Sequence, residues 1–150
     1  MVREKASKSK VATSAKRVRT PLDPASDALV ARHRAGLPAL RAAFAAALET
    51  LATHRLLRPG AIVINSGSAA GGLVAHVDGG GSTLAELDTL TPPAHPMLEV
   101  IGDPRRIAAI IRGEKDARMQ FFAGGIRVRG DMAYLSAIGT KLGFLDQPLL

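Results

Sequence analysis

Residues 107–142 are punctuated so closely that they leave the chain few folds to choose from: IAAIIRGEKDARMQFFAGGIRVRGDMAYLSAIGTKL. Asp103 and Pro104 stand just before this stretch. The carboxylate can cap free N–H groups, and the proline's missing donor costs nothing at a first helical position. Ile107, Ile110 and Ile111 then share one helical face, Arg105, Arg106 and Arg112 can stay wet, and Gly113 stops the helix. Asp116 can cap a second, shorter helix in which Met119 and Phe122 lie on one side, Phe121 is displaced from them, and Gly124-Gly125 ends the run. Ile126-Arg127-Val128-Arg129 alternates apolar and charged residues, the pattern of a strand with one buried face. After a turn at Gly130, Asp131 can cap a last helix carrying Met132, Leu135, Ile138 and Leu142 at helical spacing, weakened at Gly139 by about 1 kcal/mol relative to alanine.

In that order these residues resemble the sterol carrier protein 2 (sterol-binding) family. Its C-terminal half has a helix ending in glycine, a Phe-Phe-x-Gly turn, and an aliphatic-x-aliphatic-x-Gly-Asp/Asn strand exit before a closing helix. The matching residues here are Gly113, Phe121, Phe122, Gly124, Ile126, Val128, Gly130, Asp131 and Met132, spaced without a gap. Met97-Leu98-Glu99-Val100-Ile101 is similar to the family's preceding strand, whereas residues 37–88 match only in the order of their elements. Gly125 and Arg129 depart from the commonest family choices, at positions expected to be exposed.

Upstream, Ser26 to Leu57 is alanine-rich and reads as helical, with a break expected near Gly36-Leu37-Pro38. Leu37, Leu40, Phe44, Leu48 and Leu51 form one apolar stripe that needs a sheet or partner to cover it. Arg58-Pro59-Gly60 ends the helical region. Residues 61–64 read as a β-branched strand, 73–77 as its hairpin partner across the glycine-rich 66–72 loop, and 83–88 as a weak third strand. Residues 97–101 and 125–129 supply the fourth and fifth. The expected fold class is therefore α+β, a five-stranded mostly antiparallel sheet covered on one face by helices. The resemblance implies the same architecture and adds an apolar tunnel between helices and sheet.

Charge divides the chain. Residues 1–20 hold seven Lys/Arg against Glu4 alone, whereas residues 21–150 hold 13 Lys/Arg and 12 Asp/Glu, so the net +7 belongs mostly to an arm without apolar periodicity. We read 1–20 as a disordered basic arm, 21–36 as a linker and helical extension, and 37–150 as the lipid-binding domain of the resemblance. At 150 residues and 47% hydrophobic content, one domain can bury roughly 70% of the surface its unfolded chain exposes. Phe44, Phe121, Phe122, Tyr134 and Phe144 are the aromatic residues, so that core must be mainly aliphatic. No cysteine is present, which removes thiolate chemistry and disulfides and fits a reducing compartment. The arm lacks the apolar core of a secretory signal and no run of about 20 apolar residues is visible, so cytoplasm is the expected location.

Enzyme signatures are thin. Gly67-Ser68-Ala69-Ala70-Gly71-Gly72 lacks the Gly-Lys-Ser/Thr ending of a phosphate loop and precedes a strand, so it reads as a hairpin loop. No serine sits in Gly-x-Ser-x-Gly, and His33, His54, His76 and His95 have no metal-ligand spacing. We expect no enzyme, no metal and no cofactor.

The resemblance implies that an apolar lipid is bound or presented without covalent chemistry. The candidate lining residues are Ile107, Ile110, Ile111, Met119, Phe121, Phe122, Met132, Leu135, Ile138 and Leu142. Met119 and Met132 lead, because unbranched thioethers repack around different shapes. A 16-carbon chain would gain on the order of 12 kcal/mol gross at about 0.8 per CH₂. Relatives also serve as accessory subunits of lipid-modifying enzymes, which makes such an enzyme a second expected partner, and an anionic membrane touching the arm a third. Two alternatives compete: nucleic-acid binding through the arm, weakened by the lack of an aromatic stacking platform, and a ligand-free scaffold touching partners through Phe144, Leu149 and Leu150.

Overall fold

The computed structural model describes residues 24–79 and 81–149. The basic arm lies outside them. The first element is a single helix, α1 (Pro24–Thr53), followed by β1 (Gly60–Asn65), β2 (Gly72–Asp78), β3 (Gly81–Glu86) and β4 (Leu98–Gly102). Helices α2 (Pro104–Ile111) and α3 (Ala117–Phe122), strand β5 (Ile126–Gly130) and helix α4 (Met132–Leu142) complete the chain. The strands form one sheet in the order β3-β2-β1-β4-β5. β1 and β4 run parallel, with Ile62 opposite Leu98, and the other three pairs are antiparallel. The expected α+β class and mostly antiparallel five-stranded sheet are what the structure has.

The caps are the ones the sequence spells. Asp103 accepts from the N–H of Arg105 with Pro104 at the first helical position, Asp116 accepts from Met119, and Asp131 from Tyr134. Gly113, Gly124 and Gly130 have φ of +80°, +80° and +119°, a region that other residues enter only with strain.

The expected break in α1 is corrected. The helix runs through Gly36 and Pro38 to Thr53. Pro38 removes the donor that Arg34's carbonyl would otherwise receive, but both residues are exposed, so the loss falls on the solvent side. Packing compensates on the other side. A Cβ on Gly36 would lie 2.9 Å from Cγ of Arg105 and 3.3 Å from Cβ of Pro104, so the glycine lets α2 press directly onto the α1 backbone. The boundary expected between residues 36 and 37 is thus crossed by unbroken helix.

Leu40, Phe44, Leu48 and Leu51 of α1 are buried over Ile62, Ile64, Leu73, Ala75 and Leu98, and Ile107, Ile110 and Ile126 join the same core. By length and composition α1 is also apolar enough to cross a membrane from Ser26 to Thr53. Its alanines raise the mean hydropathy where no continuous apolar run exists, and this corrects the sequence reading. In the fold its leucine stripe is packed on the sheet.

The opposite face of the sheet is not bare. Val63 and Val74 are buried beneath Leu87, which opens the long connection from β3 past two strands to β4. That connection is pinned by Leu87 N–H to Gly72 O at 2.9 Å and Met97 N–H to Ala61 O at 2.7 Å. On the same face Glu99 is 8% exposed, and its carboxylate accepts from Arg129, its cross-strand partner.

Candidate functional site

Between the helices and the sheet lies an apolar cavity of about 450 Å³, within the 300–1,000 Å³ typical of ligand pockets. Its floor is the sheet: Ile62 and Ile64 of β1, Leu98 and Val100 of β4, Ile126 and Val128 of β5. The alternation in β5 builds this directly, because Ile126 and Val128 point into the cavity while Arg127 and Arg129 remain exposed on the other side. Phe44, Ala47 and Leu51 of α1 form one wall. Ile107, Ile110 and Ile111 of α2 and Met132, Leu135, Ile138 and Leu142 of α4 form two more.

Of the ten residues proposed from sequence, nine are gathered around this space, including Phe121 and Phe122 of α3. Met119 is not: it is 66% exposed and does not line the cavity. Fourteen of the 23 described lining residues were missed. The β5 part of the floor was legible as that strand's alternating face and the α1 wall as the Phe44–Leu51 part of the apolar stripe, whereas β1 is apolar on both faces and gave no such signal. Phe144, Leu145 and Leu149 also line the space, and Phe144, 7% exposed, is core and not the free partner contact that the scaffold reading required. Leu150 lies outside the described residues.

The chain returns to the cavity because of Gly139. A Cβ there would lie 2.6 Å from both Phe144 Cε1 and Leu145 Cδ1. The Gly139 carbonyl accepts from Gly143, Phe144 and Leu145 at 3.0–3.1 Å. The residue that weakens α4 as a helix therefore folds the C-terminal segment against it.

Among the described residues lining the cavity, Arg118 is the one with a charged or polar side chain, and its Nη2 donates to Pro148 O at 3.2 Å. None of the described lining residues carries a carboxylate, imidazole or hydroxyl. What the space offers is burial for a hydrocarbon.

The mouth is formed by α3, none of whose residues is buried. Phe121 and Phe122 line the cavity yet are 50% and 76% exposed, and their rings meet edge to face at 5.8 Å. Polar bonds tether α3: Ala117 N–H to Phe144 O at 3.0 Å, Arg118 to Pro148, and Arg106 Nη1 to Gln120 Oε1 at 2.7 Å.

The other signals from the sequence find structural roles. The 66–72 segment is the hairpin loop between β1 and β2, closed by Ser66 N–H to Gly71 O at 2.8 Å. His33, 6% exposed, shares a hydrogen bond of 2.9 Å between its Nδ1 and Ser68 Oγ, tying the N-terminal half of α1 to that loop. Among the described residues no three His, Asp or Glu side chains gather to hold a metal ion.

No protein-family model matches the sequence, and no curated protein matches it. Solved structures similar to this chain include a ubiquinone synthesis protein, UbiJ-SCP2, at 12% identity with a TM-score of 0.44, covering 83% of this chain and 94% of that one. The sterol carrier protein 2 of Yarrowia lipolytica in its apo form is similar at 18% identity and a TM-score of 0.42, covering 79% and 89%. The inverting sec-alkylsulfatase Pisa1 from Pseudomonas sp. matches at 14% identity and a TM-score of 0.44; the match covers 57% of this chain, which spans 13% of that enzyme's length.

Proposed function

We propose that the protein binds one apolar lipid reversibly in the cavity and carries or presents it without covalent chemistry. The observation that carries this reading is an aliphatic space of about 450 Å³ whose lining includes one charged side chain, at the rim. Burial of CH₂ groups is non-directional, so such walls suit sterol, fatty acyl or isoprenoid chains. An exposed mouth and a described lining without acids, imidazoles or hydroxyls favour holding a ligand over converting it. A cytoplasmic carrier, or an accessory subunit of a lipid-modifying enzyme, fits the same site.

Native and lipid-identifying mass spectrometry of the purified protein tests this directly. A stoichiometric apolar ligand is expected. An empty protein that also fails to bind a fluorescent fatty acid would sink the proposal. A variant supplies the converse test. Ala117 lines the cavity, so Ala117→Leu fills part of it. Affinity for the fatty acid should fall while the melting temperature holds or rises, as cavity-filling substitutions behave.

A further inference from the structure

Five large apolar residues are exposed among the described residues, and three of them, Met119, Phe121 and Phe122, sit on the six-residue helix α3. They are 66%, 50% and 76% exposed. Cations bracket them. Arg118 lies on the same helix and Lys115 just before its cap, while the Arg106 guanidinium reaches Gln120 near the other end. The surrounding segment is charged unlike the rest of the domain. Residues 104–130 hold seven Lys/Arg against Glu114 and Asp116, a net +5, whereas the remainder of 21–150 holds six against ten, a net −4. Arg112 is paired with Glu114 and Arg129 with Glu99. Arg106 and Arg118, beside α3, are bonded to an amide and a backbone carbonyl instead.

We propose that α3 is a membrane-docking element, whose Met119-Phe121-Phe122 ridge enters an anionic lipid bilayer while Lys115, Arg118 and Arg106 meet the headgroups. Apolar side chains beside Lys and Arg are the composition of an interfacial element, and its affinity sums buried apolar area and attraction to anionic lipid. Three side chains on six residues are too small a platform for a stable protein interface, which needs about 1,000 Å². A bilayer accepts any convex apolar ridge. Because Phe121 and Phe122 also line the cavity, docking places its mouth against the acyl chains. The ridge acts independently of the basic arm and of whatever the cavity holds.

The chain has no tryptophan, so Met119→Trp in the full chain introduces a lone reporter at a residue that does not line the cavity. With vesicles of phosphatidylcholine and phosphatidylglycerol, its emission should move to the blue, iodide quenching should drop several-fold, and brominated acyl chains should quench it. Vesicles of phosphatidylcholine alone should do less. Protein that floats with anionic vesicles while the indole stays open to iodide is held by its arm, and the proposal is then wrong. Lys115→Gln with Arg118→Gln should weaken vesicle binding about 25-fold, at about fivefold per cation, and unchanged binding also overturns it. Fatty-acid binding by the reporter variant in vesicle-free buffer reads the cavity alone. Its loss beside intact docking would sink the carrier reading and leave this one standing.

Discussion

Arg58 holds Asp131 from the far side of the cavity's fourth helix: its Nη2 lies 2.6 Å from Asp131 Oδ2, and its guanidinium carbon stands 4.2 Å from the centre of the Tyr134 ring. Asp131 caps α4 through the Tyr134 N–H at 2.9 Å, and the Tyr134 hydroxyl donates to Leu56 O at 2.6 Å. One cluster thus joins the loop after α1 to the helix bearing Met132 and Leu135. Burial raises the Tyr134 phenol above its ordinary value, with the Arg58 charge opposing.

The hydrogen bond from Arg58, and then that from the Tyr134 N–H, hold the Asp131 carboxyl below its ordinary value of 3.8. A depressed folded-state value stabilises the fold above the unfolded value, and that contribution is lost as pH falls through the folded one. Asp131→Asn removes the charge and keeps a capping oxygen. The variant should be less stable than the parent at neutral pH, and the gap should close as the pH drops below 3.8. Urea melts at a series of pH values check this; a gap independent of pH would show that the ion pair contributes nothing.

Gly139→Ala should destabilise the protein, although the same change in an exposed helix gains about 1 kcal/mol. The added Cβ would lie 2.6 Å from Phe144 and Leu145, and overpacking of this kind costs typically 1–3 kcal/mol. Gly36→Ala meets Cγ and the backbone N of Arg105 at 2.9 and 3.2 Å and Cβ of Pro104 at 3.3 Å, atoms fixed by the first turn of α2, so a loss is expected there as well. Thermal melts of the two variants rank the contacts.

Arg55, two residues past the end of α1, is in the left-handed conformation, φ +57°, with Leu56 N–H closing on Leu51 O at 2.8 Å. An L-residue with a side chain is strained there by about 1–2 kcal/mol, and glycine is not. Arg55→Gly should therefore raise stability by about 1 kcal/mol, read as a higher urea midpoint at an unchanged m-value.

These contacts mark where sequence reading succeeds and where it stops. Caps, strand alternation and the α4 stripe are local, so Asp103, Asp116, Asp131 and the Ile126/Val128 pair could be assigned from their neighbours. The expected break at Gly36-Leu37-Pro38 used an equally local rule, yet α2, some 70 residues away in sequence, covers that turn. Gly139 looked like a weakness for the same reason, since its partners arrive only after the chain has reversed at Gly143. Met119 shows a third limit. In a six-residue helix, three-residue spacing to Phe122 says that the two share a side, and not which residue faces the core. The cavity floor needed the sheet's register, which sets Ile62 opposite Leu98 and Val100 opposite Val128.

Met132→Lys and Phe122→Asp probe the cavity at its α4 wall and at α3. Met132 is partly buried in the wall and packed against the core, so a lysine there sets an ammonium against hydrocarbon, a placement that costs several kcal/mol unless the group deprotonates or reaches water. Ligand binding should be lost, with some loss of stability visible by circular dichroism on heating. Phe122 is 76% exposed, so Phe122→Asp should leave the stability within about 0.5 kcal/mol of the parent's, as surface changes do. Its carboxylate nevertheless stands at the mouth, and affinity for a fluorescent fatty acid should drop at least tenfold through lost apolar contact and repulsion of the ligand's own carboxylate. The second variant is the cleaner instrument because its fold is intact. If Phe122→Asp binds as tightly as the parent, the ligand does not pass or touch α3, and the entrance must lie elsewhere around the helices.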